Sequence, residues 1–221
     1  MRPLIIAIDG PSGVGKGTIA RAIAAELGYR HVDSGAMYRA VGWKAQQLGV
    51  PLDREDDIVS IAQQAVIDIS ATLVTVDGAD ITRAIRTPEI DKAAASVARL
   101  PRVRAVLVER QRALGANGGI VMEGRDIGTV VFPAADLKLY LDASAEERAR
   151  RRAQDPAHSG GPAALADVAT LLKERDRSDS TRAASPLYAA ADAVVIDTTD
   201  TPIADVVERV MGLVRATLAR N

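Results

Sequence analysis

Nine residues near the start of the chain, Gly10, Pro11, Ser12, Gly13, Val14, Gly15, Lys16, Gly17 and Thr18, combine four glycines with a lysine and a threonine. Glycine lets backbone N–H groups turn inward around an anion, and lysine adds a full positive charge. The stretch follows an apolar run, Leu4–Ile8, and precedes a helix-patterned segment, Thr18–Leu27. That is the context a Walker A phosphate loop requires, because the helix N-terminus adds its own partial charge. One position departs from the strict motif. The residue after the lysine is Gly17, which has no hydroxyl for a metal, so Thr18 is left to contact a phosphate or a metal-bound water.

Further along, Asp33-Ser-Gly-Ala-Met-Tyr-Arg39 opens a second helix-patterned segment. Ser34 and Tyr38 are four apart and share a helix face, with Arg39 adjacent, so hydroxyl, phenol and guanidinium together can hold a phosphate. Asp33 or Ser34 could equally cap the helix, with Tyr38 in the core. Glu123-Gly-Arg-Asp126 ends another apolar run, and in an open α/β sheet ligands bind at the carboxyl ends of strands. Arg125 can fork onto a phosphate. Asp126 can accept from an exocyclic amino group and would repel a carbonyl oxygen at the same place. In Glu174–Arg182, the residues Arg175, Asp179 and Arg182 fall at i, i+4 and i+7, on one face if the helix persists. Ser144-Ala-Glu-Glu147 reads as a capping box for a helix carrying Arg148, Arg151 and Arg152, with Arg148 and Arg152 one turn apart and pointing the same way.

The elements that must position these residues are short. Apolar runs at Leu4–Ile8, Arg30–Val32, Ile120–Met122, Leu137–Leu141 and Ala193–Ile196 read as strands. Helical patterns at Thr18–Leu27, Arg102–Leu114, Ala145–Ala153, Ala166–Arg177 and Pro202–Leu218 alternate with them, which predicts an α/β fold with a five-stranded parallel sheet covered on both faces. Two stretches interrupt the alternation. Asp77-Gly78 between β-type runs signals a tight hairpin in a small insert, and the Pro/Gly-rich Asp155–Asp167 reads as a lid or hinge.

Composition narrows the chemistry. The chain has 221 residues and no cysteine, which excludes thiolate metal sites, cysteine catalysis and a disulfide scaffold, and fits a reducing cytoplasm. Its two histidines, His31 and His158, are far apart in sequence, so no polyhistidine metal site is expected. No run approaches the roughly 18 apolar residues of a spanning helix. A net charge of −1 with 3% aromatics disfavours a nucleic-acid surface or an anionic membrane as partner. Within that balance stand 23 arginines against 5 lysines, a skew that suits phosphate handling and that GC-rich coding would also produce.

Taken together, these motifs resemble the bacterial cytidylate kinases, within the nucleoside monophosphate kinase branch of P-loop proteins. The resemblance is carried by Gly10–Thr18, Asp33–Arg39, Arg83-Ala-Ile-Arg-Thr87, Ser96 with Pro101-Arg-Val-Arg104, Glu174–Arg182, and above all the stretch from Glu123 to Pro133. It implies phosphorylation of CMP and dCMP by ATP with Mg²⁺, Gly10–Thr18 binding the ATP phosphates. It implies a kinase core at 1–43 and 97–221, a lid at about 148–167, and an acceptor-binding insert at 44–96. Ser34, Tyr38, Arg39, Ser96, Arg104, Glu123, Arg125, Asp126, Arg175, Asp179 and Arg182 would surround the acceptor. Among them Ser96, Arg104 and Asp126 would face the base, Arg39, Arg125 and Arg182 the phosphate, and Asp179 the ribose. Lys16, Arg125, Arg148, Arg152 and Arg182 would stabilise the transfer. Glu123 stands where many relatives carry aspartate. The partners expected are small nucleotides, and a monomer is the default.

The chemistry itself needs few groups. A phosphate monoester has a second pKa near 6, so at neutral pH the acceptor is already a nucleophilic dianion and requires no general base. Transfer is mostly positioning and charge neutralisation, which demands cations. The alternatives are another small-acceptor kinase, of the UMP or shikimate type, or a GTPase-like switch; Leu139–Ser144 and Val194–Thr199 carry no guanine-reading Asn/Thr-Lys-x-Asp motif.

Overall fold

The computed structural model describes residues 2–154, 165–182 and 184–220. The chain runs β1 (Ile5–Asp9), α1 (Lys16–Leu27), β2 (Arg30–Asp33), α2 (Ser34–Gln47), α3 (Glu55–Gln64), β3 (Ile67–Ile69), β4 (Val74–Val76), β5 (Ala79–Asp80) and α4 (Pro88–Val97). It continues through α5 (Pro101–Leu114), β6 (Ile120–Gly124), a π-helical turn (Ile127–Val131), β7 (Leu137–Asp142), α6 (Ala145–Ala153), α7 (Leu165–Thr181), β8 (Val194–Asp197) and α8 (Ile203–Leu218). The expected lid includes residues 155–164, which lie outside the described residues.

The five parallel strands take the order β2-β6-β1-β7-β8. Their side chains alternate between two layers, as the pleat requires. Ile6 and Ile8 pack with Ile19 and Ile23 of α1 and with Val210 and Val214 of α8. Ala7, Val32 and Met122 point the other way, against Val108 of α5 and Phe132. This double burial explains why the strands read as unbroken apolar runs. Register sets which side chains share the carboxyl edge of the sheet. Glu123 pairs with both Ile8 and Asp33, so the carboxyl ends of β1, β2 and β6 finish level and bring Asp9, Asp33 and Glu123 to one edge.

The interruption after α2 holds a three-stranded antiparallel sheet, β3-β4-β5, between α3 and α4. Asp77 and Gly78 have φ of 51° and 81°, and Val76 pairs with Ala79. Two positive φ angles at the turn are the signature of the tight hairpin expected there. The helices α3 and α4 and the strand β3 extend the insert beyond that hairpin. Thr87 caps α4 by accepting from the Ile90 N–H at 3.3 Å, and Pro88 fills its first turn. Apolar residues of the insert share one core with α2 and α5, through Val41, Ile58, Ile85, Ile90 and Leu107. Among the described residues no helix is long and apolar enough to cross a membrane.

Gly42 sets the closeness of α2 and α4. A Cβ built there would lie 3.0 Å from the Ala93 Cβ and 3.3 Å from its carbonyl carbon. Gly42→Val should therefore overpack the contact and destabilise the protein by about 1–3 kcal/mol, measured by urea unfolding.

Candidate active site

One cavity of about 700 Å³ opens where the sheet's carboxyl edge meets the first turn of α1. Ser12 to Thr18 form one wall. Gly13 and Gly15 hold φ of 86° and 89°, and a Cβ on Gly13 would come 2.9 Å from the Arg148 carbonyl oxygen, so the loop accepts no larger residue there. Gly10 and Pro11 sit behind this wall. Lys16 Nζ donates to the Pro11 carbonyl at 2.6 Å. Burial, then the charges of Arg125 and Arg175, push the Lys16 ammonium down to about 7 against the pull of Glu123 and Asp9.

Opposite the loop stand Ser34, Tyr38, Arg39, Arg104, Glu123, Arg125, Asp126, Arg175, Asp179 and Arg182, all on the cavity wall. Ser34 Oγ donates to the Glu123 carbonyl at 2.7 Å, and Asp33 both caps α2 through Ala36 N–H at 3.1 Å and accepts from Arg39 at 2.5 Å. Burial raises Asp33, but Arg39 and Arg86 outweigh it and hold the carboxyl at about 2. Arg104 pairs with Asp126 and lies over the Tyr38 ring, 5.4 Å from its centroid. Burial drives the Tyr38 phenol up to about 12, so it stays a neutral donor at neutral pH. Arg125 Nε donates to Asp179 Oδ2 at 2.9 Å, a link in place of the Arg125–Asp126 pair that adjacency suggests. Arg175 and Arg182 are pushed below the usual guanidinium range by burial and by the neighbouring Arg125 and Arg104 respectively.

These cations face the cavity with donors to spare. Arg39 Nε, Arg104 Nε and Arg182 Nη2 are buried and find no acceptor among the described residues. A buried donor left so costs about 1–3 kcal/mol.

Two residues fall elsewhere. Ser96 is exposed and off the cavity, because the inward side of α4 carries Ala94, Ala95 and, just beyond the helix, Ala98; the neighbouring position on a helix turns about 100° away. Arg148 also leaves the wall. Its Nη1 donates to Asp176 at 2.5 Å and to the Ser12 carbonyl at 3.4 Å, bracing the phosphate loop from behind, while Arg152 reaches the cavity. The two arginines thus diverge although they stand one turn apart.

Several wall residues lie outside the motifs legible in the sequence. Arg21 lines the cavity, as do Thr198, Thr201, Ile203 and Val206 at its far end, while Arg86 of the Arg83–Thr87 motif and Arg151 of α6 also reach it. The four at the far end follow β8, so the rule that ligands gather at the carboxyl ends of strands could have located them. Asp9, off the wall, is another residue outside those motifs. Burial lifts it to about 6 although it accepts from Ile127 and Gly128 N–H at 2.8 and 2.7 Å, and it thereby ties the π-turn after Asp126 to the end of β1.

A cytidylate kinase family model matches residues 6–216. The chain belongs to the cytidylate kinase family. It is 49% identical over 213 residues to a cytidylate kinase from Desulfitobacterium hafniense (strain Y51), covering 95% of this chain and 92% of that one. A cytidylate kinase from Pelotomaculum thermopropionicum is 47% identical over 216 residues, covering 96% of each. In Synechococcus sp. (strain JA-3-3Ab), a bifunctional pantoate ligase/cytidylate kinase is 44% identical over the whole of this chain, which spans 42% of that protein. The fold extends to more distant proteins. A shikimate kinase from Bacteroides thetaiotaomicron superposes with a TM-score of 0.52 at 10% identity, covering 96% of this chain and 98% of that one. An uncharacterized protein from Eubacterium ventriosum does so with a TM-score of 0.56 at 8% identity, covering 97% and 99%.

The Lys16 ammonium makes the site sensitive to pH. With its pKa down at about 7 against 10.5 for a free lysine, the folded protein binds fewer protons than the unfolded chain between those values, so stability without nucleotide rises with pH across that window. Lys16→Met should remove this rise, and the wild-type urea midpoint should climb relative to the variant's between pH 7 and 10.

Proposed function

We propose that the protein transfers the γ-phosphoryl group of ATP to CMP or dCMP by direct in-line displacement. The observation that carries this is a cavity on which the phosphate loop, a set of arginines and the Arg104–Asp126 pair converge, in a chain of the cytidylate kinase family. ATP phosphates lie along Gly10–Thr18, with the loop's N–H groups and Lys16 as donors. Lys16 regains its full charge as the polyanion enters, since opposite charge favours the ammonium form. Arg39, Arg125 and Arg182 hold the acceptor phosphate, Asp179 orients Arg125 and faces the ribose, and Asp126 with Arg104 reads the base. Arg152 faces the transferring group. The core at 1–43 and 97–221 supplies the donor side, and the insert at 44–96 contributes Arg86 to the acceptor side.

The family reading calls for Mg²⁺ alongside ATP. The residues fit such an ion: Glu123 Oε1 would lie 2.9 Å from a Cβ at Gly17, so a carboxylate occupies the space of the missing hydroxyl side chain. Mg²⁺ bound with nucleotides typically keeps several waters and takes one or two carboxylates plus phosphate oxygens. Glu123 would hold it, and the ion would supply charge neutralisation at the phosphate oxygens. His31 Nε2, 3.2 Å from Glu123 Oε1, fixes that carboxylate from behind.

Transfer needs no base, because the acceptor is a dianion, and no side-chain nucleophile, so configuration at a chiral γ-phosphate should invert. Asp126 favours cytosine, whose exocyclic amino group donates where uracil presents a carbonyl. Steady-state kinetics over CMP, dCMP, UMP, AMP and shikimate with Mg-ATP should show turnover dominated by CMP and dCMP, and activity with none would overturn the proposal. Asp126→Asn should lower the CMP-over-UMP preference by about tenfold or more with the KM for ATP little changed.

A further inference from the structure

Asp91 is a carboxylate to which the proposed reaction gives no task. It stands on α4 with 13% of its side chain exposed, and arginines from three other helices converge on it. Arg152 of α6 pairs with its Oδ2. Arg175 of α7 lies 3.5 Å from the same oxygen, and Arg39 of α2 lies 4.0 Å from Oδ1. All three guanidiniums line the cavity, whereas Asp91 stands behind the wall they form.

This placement has a physical consequence for Arg152. It occupies the last turn of α6, on a long side chain with many free rotamers. Its neighbours across the cavity are themselves cations, so without a counter-charge it would be repelled towards solvent. A carboxylate behind the wall cancels that repulsion and holds one edge of the planar fork. A guanidinium carries five N–H donors, and one carboxylate takes at most two of them. Because Asp91 belongs to the insert and Arg152 to the helix before residue 155, the pair also joins the acceptor side of the cavity to the donor side.

We propose that Asp91 is a positioning residue for phosphoryl transfer, acting through Arg152. The proposal rests on the kinase reading and adds to it a residue outside the phosphate loop and the acceptor set. Removing the charge takes from Arg152 the carboxylate that pairs with its Nη2, while Lys16, Arg125 and Arg182 keep their own partners, so turnover suffers more than the binding of either substrate.

Asp91→Asn preserves shape and removes charge. Its kcat with ATP and CMP should fall about tenfold, with both KM values within about threefold of wild type, and Asp91→Glu should recover part of the loss. Combined with Arg152→Ala, it should be no slower than Arg152→Ala alone, since the two act as one unit. A role confined to folding would lower the melting temperature and leave the two losses in kcat multiplying. Multiplying losses, or a kcat within twofold of wild type in folded Asp91→Asn, would overturn the proposal. Wild-type protein inactive with every acceptor would instead overturn the kinase reading itself, so the two failures are told apart.

Discussion

Cations gathered to receive phosphate must first be held together without it, and that constraint shapes the cavity. Lys16 is driven down to about 7, and Arg175 and Arg182 are pushed below their usual range, by burial beside other positive groups. The protein answers with interleaved carboxylates. Asp33 faces Arg39, Asp126 faces Arg104, Asp179 faces Arg125, Asp176 faces Arg148 and Asp91 faces Arg152. Each pair costs desolvation, and breaking one by removing a partner would strand a buried charge at a cost of about 3–5 kcal/mol. Such pairs contribute less to net stability than to geometry. They hold guanidiniums in place in the resting protein and leave donors turned inward. The near-neutral chain and the cationic cavity are therefore two aspects of one design, since the acids that balance the formula also brace the arginines.

The sheet supplies the rigid frame for this charge pattern. Level ends of β1, β2 and β6 bring Asp9, Asp33 and Glu123 to one edge, where each does a different task. Asp9 anchors the turn after Asp126, Asp33 caps α2 and holds Arg39, and Glu123 lies over Gly17. Their environments differ accordingly. At Asp9 burial dominates over two backbone hydrogen bonds and lifts the carboxyl to about 6, while Asp33 sits beside Arg39 and falls to about 2. Identical side chains on one sheet edge thus reach opposite electrostatic states because Arg39 and Arg86 stand beside one of them.

Local signals were strongest where a residue's role depends on its chain neighbours. The alternation of apolar runs and helical patterns anticipated all five parallel strands to within about two residues, and Asp77-Gly78 announced its hairpin because only residues tolerant of positive φ suit that turn. The helices α3 and α4 were equally open to such reasoning, since Ile58, Val59, Ile61 and Ala62 share one face and Thr87-Pro88 begins a helix. Ser96 shows the limit of motif matching. A serine near the right place in the sequence carries no information about which side of α4 meets the cavity, and a shift of one residue turns it to solvent.

What the sequence by itself determined was the kind of chemistry: a glycine-rich cradle before a helix, many arginines, and the Glu123–Pro133 stretch that resembles cytidylate kinases. Those features are contiguous, so their physics is local. Only the tertiary structure decided which carboxylate meets which arginine. Arg125 chose Asp179 over its neighbour Asp126, Arg148 turned behind the loop while Arg152 faced the cavity, and Asp91 drew arginines from three other helices. Long flexible side chains can satisfy several partners, and the choice among them depends on distances across elements far apart in the chain. Spacing along one helix cannot specify it.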